Sequence, residues 1–262
     1  VDNYPGFPEG ISGFDLMEKM AAHAKRFNLN TLLKEVESVN LDDQEKKKLI
    51  FSDGSEMTCD SLIICTGASA NKLGIPGEAE LSGKGVSYCG TCDAPFYRNM
   101  NVAVIGGGDT AIQEADYLTR FASKVTVIHR RDELRATKII QEIAFANEKI
   151  DFIWNSQVTE IEGDKEVERL RLVDKEGKTS TLEVQGVFVL IGVTPNNSLL
   201  PVEKLNADKW GFIPTDLETA TCIPGVFAAG DIRSKVLRQI VNACGEGATA
   251  VISAEHYLTN QP

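Results

Sequence analysis

The segment that most constrains this chain is Asn101-Val-Ala-Val-Ile105, followed at once by Gly106-Gly107-Gly108-Asp109-Thr110-Ala111. The β-branched run reads as a buried strand, and Gly106, Gly108 and Ala111 give the spacing G-x-G-x-x-A, opening a helix expected through Phe121. The first glycine makes the turn, the second lets backbone approach a pyrophosphate, and the small third residue lets the helix pack close to the strand. Phosphate oxygens then meet the free N–H groups and positive dipole of the helix start. A lone glycine pattern is weak evidence, but here a second strand, Lys124–Ile128, follows at the right distance.

The end of that second strand decides which dinucleotide fits. A site for NAD places Asp or Glu there to hold the ribose hydroxyls. This chain has His129-Arg130-Arg131, with Arg135 expected one helical turn further on. Arginines at that point suit a 2′-phosphate through forked, charge-assisted hydrogen bonds, which predicts NADP(H). The competing reading is a solvated basic face on an acidic protein; the position of the arginines favours the cofactor.

The chain has 262 residues, a length for one large or two small domains. It is 42% hydrophobic and 25% charged, which supports a packed core and excludes a disordered chain. No apolar run approaches the roughly 18 residues of a membrane span. A formal charge of −11 argues against nucleic-acid binding, which calls for a basic patch. The six cysteines are too sparse for a disulfide scaffold. Cys59, Cys65, Cys222 and Cys244 stand alone, and apolar or small neighbours predict that three of these are buried and inert.

Ahead of the glycine pattern, a helix is expected from about Gly13 to Phe27, then strands over Leu32–Leu41 and Lys48–Ser52. A turn at Asp53-Gly54 leads into a third strand through Met57. Leu62-Ile63-Ile64-Cys65 reads as a buried strand running into a tight turn at Thr66-Gly67-Ala68. Gly74-Ile75-Pro76-Gly77 reads as a linker, and Thr194-Pro195-Asn196-Asn197 as a second break. One domain inserted into another explains both, with segments 1–73, 74–196 and 197–262. The last part ends in a helix expected over Ala243–Leu258.

Cys89-Gly90-Thr91-Cys92-Asp93 can be read in three ways. Zinc would need two further ligands at a suitable spacing, and none is present, so no metal is expected. Two buried structural thiols fit poorly, because the stretch is not strongly apolar. A redox disulfide is the remaining reading: cysteines one helical turn apart can bridge without moving the backbone, and a helix start stabilises the thiolate. Asp93 could hold or deliver a proton during exchange, or simply cap the helix. Electrons pass poorly between NADPH and a disulfide without a relay, and a flavin is the usual one. A partial flavin site is visible in Val226-Phe-Ala-Ala-Gly230-Asp231, followed by Arg238-Gln239-Ile240 and a helix start around Gly245 and Gly247. The competing reading there is an ordinary strand–loop–helix connection.

Taken in order, these motifs resemble the low-molecular-weight thioredoxin reductases over nearly the whole chain. The matches are Asn3-Tyr4-Pro5-Gly6-Phe7, Thr66-Gly67-Ala68, the C-x-x-C-Asp, Gly106–Ala111, His129-Arg130-Arg131-Asp132, Arg135, Ile191-Gly192, Pro195-Asn196, Ala229-Gly230-Asp231 and Arg238-Gln239. The resemblance implies an α/β fold of two Rossmann-like, three-layer ββα nucleotide-binding domains, with the NADPH domain inserted into the FAD domain. It implies that electrons pass from NADPH through FAD to Cys89–Cys92 and on to thioredoxin. Cys92 would then face the flavin, Cys89 would attack thioredoxin, and Asp93 would be catalytic. It also assigns Gly106, Gly107, Gly108, Asp109, Thr110, His129, Arg130, Arg131, Arg135, Ile191 and Gly192, with Thr66, Gly67, Ala68, Gly230, Asp231, Arg238, Gln239 and Ile240, to cofactor binding.

A cytoplasmic homodimer is implied as well. Two departures stand out: Ala94-Pro95 replaces the usual Gly after the C-x-x-C-Asp, and the glycine pattern for the ADP half of FAD does not precede Asn3. The sequence therefore reads as an N-terminally shortened form. The alternatives are a related flavin reductase for another disulfide partner, such as a peroxiredoxin-type or glutaredoxin-like protein, and a non-catalytic NADP(H)-binding fragment.

Overall fold

Alternation along the central strands builds the site-bearing part of the molecule. The computed structural model describes residue 1 and residues 3–43 and 46–260. In chain order the elements begin with α1 (Gly13–Lys25), β1 (Val36–Asn40), β2 (Lys47–Phe51), β3 (Glu56–Cys59), β4 (Leu62–Ile64) and β5 (Ala68–Ala70). The middle of the chain forms β6 (Val86–Ser87), α2 (Gly90–Asp93), β7 (Asn101–Ile105), α3 (Asp109–Leu118), β8 (Lys124–Ile128), α4 (Lys138–Ala146) and β9 (Ile150–Ile153). It continues through β10 (Ser156–Glu162), β11 (Arg169–Asp174), β12 (Thr179–Glu183) and β13 (Gly186–Val189). Last come β14 (Val193–Pro195), β15 (Val226–Ala228) and α5 (Ile240–Thr259).

The chain divides into two units. One is made of residues 1–69 and 194–262; the other is the continuous segment 70–193 between them. The strands that carry the chain across, β5 and β14, pair with each other.

In the continuous unit, a five-stranded parallel sheet has the order β6-β13-β7-β8-β9. Val102 and Val104 of β7, with Val125 and Val127 of β8, point to one face and pack against Ala111, Ile112, Ala115 and Leu118 of α3. Ala103 and Ile105, with Val187 and Val189 of β13, point to the other. There they meet Val158, Ile161, Leu170 and Leu172 of the antiparallel sheet β10-β11-β12. Period-2 strands buried on both faces thus give a three-layer ββα sandwich. The antiparallel sheet is the second β layer that the resemblance implies, although its strands were not individually marked in the sequence. Gly74–Gly77 lies inside this unit, where the buried Glu78 accepts the Leu73 and Gly74 N–H groups at 2.9 and 2.7 Å.

In the other unit, β1-β2-β3 form an antiparallel sheet and β4 pairs in parallel with β15. Val226 and Ala228 of β15 pack with Val39, Ile64, Leu205 and Ile213. Phe227 and Ala229 face Ala250 and Ala254 on α5. That helix begins at Ile240, capped by Gln239, so Gly245 and Gly247 lie within it rather than at its start. Among the described residues no helix is long and apolar enough to cross a membrane.

The lone cysteines depart from the sequence expectation. Cys65, Cys222 and Cys244 are exposed and Cys59 is half-buried. Apolar neighbours in sequence mispredicted them because Cys65 follows the last residue of β4 and Cys244 sits on a solvent-facing side of α5 with Val241 and Val251. Burial pushes the Cys59 and Cys65 thiols above the ordinary cysteine value.

Candidate functional site

Each unit carries a cradle, and the continuous unit also carries a disulfide. The first cradle lies in the continuous unit. Gly106 takes φ +157°, and a Cβ there would meet the Leu190 carbonyl oxygen at 2.5 Å and the Ala111 Cβ at 2.6 Å. Strand, carbonyl and helix close so tightly that only glycine fits, which is the role its place in the pattern requires.

The loop after β8 folds back over this turn. His129 is buried at 6% exposure. The Gly107 carbonyl accepts the N–H groups of Arg135 (2.7 Å) and Ala136 (3.1 Å), and the Asp109 carboxylate accepts the Thr137 N–H (2.6 Å). Arg135 is therefore placed by a loop pinned to the glycine turn, not by the helical turn expected from sequence; the next helix, α4, starts only at Lys138. Burial pushes the His129 imidazole below its ordinary value of 6.5. The Glu133 and Gly106 carbonyls oppose that fall, and the charges of Arg135 and Arg131 add to it.

A cleft of about 380 Å³ is lined by Gly106, Gly107, His129, Arg130, Arg135 and Ile191, among others. Gly108, Asp109, Thr110 and Arg131 do not line it: the first three form the start of α3, and the Arg131 carbonyl accepts the Asn155 N–H. Gly192 follows Ile191 at φ +107° and its carbonyl accepts the Asn71 N–H. Lys72, Ser156 and Gln157 also line the cleft and were not singled out from the sequence.

The second cradle, in the discontinuous unit, has a volume of about 310 Å³. Cys65, Thr66, Gly67, Ala68, Asn196, Gly230 and Asp231 line it. Gly67 and Gly230 adopt φ of +71° and +78°, where other residues are strained. Asn196 ties the turn together, its amide donating to the Thr66 carbonyl and its oxygen accepting from Ser69. Glu246 of α5 accepts the Gly230 N–H at 2.8 Å and pairs with Arg233 and Lys235. Burial opposes the charge on Glu246, but those donors outweigh it and hold its carboxyl below the ordinary value. Gln239 accepts from Asn3 at 2.8 Å, and Arg238 stacks over the Phe212 ring at 4.2 Å. Neither Asn196 nor Glu246 was picked out as a site residue, since nothing local in the sequence marks a partner that distant.

The buried polar atoms test whether nucleotides fit these cradles. Among the described residues, Thr66 Oγ1, Asp231 Oδ1 and Arg238 Nε in one unit, and His129 Nε2 in the other, are buried without a hydrogen-bond partner. For Asp231 the Lys235 ammonium stands 3.5 Å off, an ion pair rather than a hydrogen bond. Thr66 and Asp231 line the second cradle and His129 the first, whereas Arg238 lines neither. Buried polar groups are almost always satisfied, so the three orphans at the cradles mark places built for polar ligands. Hydroxyl and carboxylate suit a flavin nucleotide, while glycine turn and arginines suit a phosphorylated dinucleotide.

The disulfide sits at the edge of the parallel sheet. Cys89 follows β6 in an extended conformation and caps α2, and it is bonded to Cys92 with the Cα atoms 5.3 Å apart. The buried Gly90 gives its N–H to the half-buried Glu114 of α3, and a Cβ at Gly90 would strike that carboxylate. Burial pushes the Glu114 carboxyl above its ordinary value against the pull of that N–H. Asp93 closes α2 and accepts a hydrogen bond from Ser87.

The model of the pyridine nucleotide-disulphide oxidoreductases matches residues 1–247. The chain belongs to that family. Within it the chain is of the low-molecular-weight thioredoxin reductase type. It is 47% identical over 265 residues to the thioredoxin reductase of Peptoclostridium acidaminophilum, covering 98% of this chain and 83% of that one. It is 46% identical over 261 residues to that of Bacillus subtilis (strain 168), covering 98% and 81%. The crystal structure of thioredoxin reductase from Streptococcus pyogenes MGAS5005 superposes with a TM-score of 0.92 at 43% identity, covering 100% of this chain and 85% of that one.

Proposed function

We propose that this protein is a thioredoxin-disulfide reductase that draws electrons from NADPH and uses FAD. The observation that carries the reading is the closed Cys89–Cys92 disulfide at the edge of the same parallel sheet whose central strand opens the glycine turn. NADPH supplies a hydride, and FAD when bound supplies a two-electron relay to sulfur.

The chain's own residues divide the work. Gly106, Gly107, Gly108, Asp109 and Thr110 would hold the pyrophosphate at the start of α3. Arg130 and Arg135 would grip the 2′-phosphate, Arg131 outside the cleft would add only its charge, His129 would floor the pocket, and Ile191 and Gly192 would flank it. Segment 74–196 is on this reading the NADPH domain. Segments 1–73 and 197–262 form the FAD domain, in which Thr66, Gly67, Ala68, Gly230, Asp231, Arg238, Gln239 and Ile240 would hold the flavin nucleotide.

In the exchange step, Asp93 accepts the proton of the Cys89 thiol, and the Cys89 thiolate attacks one sulfur of the thioredoxin disulfide. That bond breaks, a mixed disulfide forms, and the departing thiolate takes up the proton. The Cys92 sulfur then attacks Cys89, closing Cys89–Cys92 and releasing the second thioredoxin thiolate, which takes up the Cys92 proton. Thioredoxin gains two electrons and two protons, and the Cys89–Cys92 dithiol loses both.

We further infer a homodimer in the cytoplasm. Phe14 and Met17 on α1, and Val251 and Ile252 on α5, are exposed apolar side chains available to a second copy. Light scattering that reports a monomer at micromolar concentration would contradict the dimer. The activity is tested by anaerobic spectroscopy. A flavin band that bleaches with NADPH, together with NADPH oxidation that requires thioredoxin, is the expected result. NADPH binding with no thioredoxin-dependent turnover would overturn it.

A further inference from the structure

Ser87 lies two residues before Cys89 and is buried at 3% exposure. It is the last residue of β6, held by pairing with Phe188 of β13, so its backbone belongs to the rigid parallel sheet. Its hydroxyl has three polar neighbours: Asp93 Oδ2 at 2.6 Å, the Cys89 N–H at 3.1 Å and the Cys89 carbonyl at 3.3 Å. A hydroxyl has one proton to give. The carboxylate is the nearer acceptor and the charged one, so the proton goes to Asp93, while a lone pair receives the Cys89 N–H. One buried oxygen thereby ties the carboxylate at the end of α2 to the backbone of the first redox cysteine. The Asp93 N–H also donates to the Cys89 carbonyl at 3.2 Å, closing the same turn from the other side.

We propose that Ser87 is a positioning residue for the disulfide exchange: it holds the Asp93 carboxylate where it can take the Cys89 proton and pass it to the leaving thioredoxin thiolate. This rests on the reading of Asp93 as the proton carrier. Without the hydroxyl, the Asp93 side chain gains freedom to rotate away, and the proton transfer loses its alignment while the disulfide and both cradles stay intact.

The test uses protein reduced chemically at Cys89 and Cys92, mixed with oxidised thioredoxin, so the exchange is read without NADPH. The rate is followed by quenching and alkylation. Asp93→Asn slows exchange by roughly 10²-fold, the lower range of general acid–base catalysis. Ser87→Ala slows it by about tenfold, and Ser87→Ala adds nothing in the Asp93→Asn background, because its whole effect runs through that carboxylate. Ser87→Thr keeps the wild-type rate. Thr and Val share one shape, so if Ser87→Ala folds poorly, a tenfold gap between Ser87→Thr and Ser87→Val carries the same result.

A Ser87→Ala rate equal to wild type would overturn the proposal. So would losses that multiply in the double variant, with the role of Asp93 left standing. A wild-type rate for Asp93→Asn would remove the proton carrier and the proposal with it.

Discussion

The ring of His129 lies against the backbone of Gly107 so closely that a Cβ built on Gly107 would stand 2.3 Å from its Cε1 atom. Gly107 is thus fixed by a residue 22 positions later in the chain, and the histidine by the absence of a side chain on the turn. Gly107→Ala is expected to cost roughly 1–3 kcal/mol in stability through overpacking. It should also displace the loop that carries Arg130 and Arg135. Thermal unfolding and NADPH titration of the variant measure both effects, and an unchanged affinity would separate the loop from the glycine turn.

The same burial makes stability depend on pH. The folded-state pKa of His129 is depressed, so its neutral form is favoured by folding, and the contribution is fully present above the ordinary value of 6.5. It is lost as pH falls through 6.5 towards the folded value, because the unfolded chain takes up the proton first. Denaturant unfolding between pH 7.5 and about pH 5 should show stability falling on acidification, and His129→Gln should flatten that slope.

Arg130 and Arg135 line the cleft, whereas Arg131 does not. Replacing Arg130 and Arg135 by Ala should therefore weaken NADPH far more than NADH. Each charge-assisted bond removed is worth roughly 1.5–3 kcal/mol, on the order of 10- to 150-fold in Kd. Arg131→Ala alone should have a smaller effect. Equal losses for NADPH and NADH would contradict a 2′-phosphate grip.

Cys92→Ser breaks the conduit without touching either cradle. Thioredoxin reduction should fall to background, while the flavin of the variant should still be reduced by NADPH at close to the wild-type rate. Thioredoxin turnover in this variant would show that electrons leave by another route.

How far the sequence could be read depended on where partners lie. Asn101–Ala111 and Lys124–Ile128 were legible because β-branched runs and glycine spacing are local signals, and the structure forms β7, α3 and β8 there. The exposed Cys65, Cys222 and Cys244 were misread because flanking residues do not report which way a strand end or helix face turns. Arg135 was placed on a helix, whereas its position follows from a backbone hydrogen bond to Gly107, a residue the local pattern could not connect to it. Ser87, Glu114 and Glu246 went unmarked for the same reason, and Asn196 was read only as part of a break and of the family match, without a site role. Each is an ordinary polar residue until the fold brings it to Asp93, Gly90, Thr66 or Gly230.

The central claim is that electrons from NADPH reach Cys89 and Cys92. It is tested most directly by adding NADPH to the flavin-loaded protein without oxygen, quenching with an alkylating reagent and mapping the modified cysteines. The exposed Cys222 and Cys244 label with or without NADPH. Cys89 and Cys92 should become labelled only after NADPH is added, one equivalent opening one disulfide. If the Cys89–Cys92 bond stays closed while the flavin is fully reduced by excess NADPH, the account is wrong.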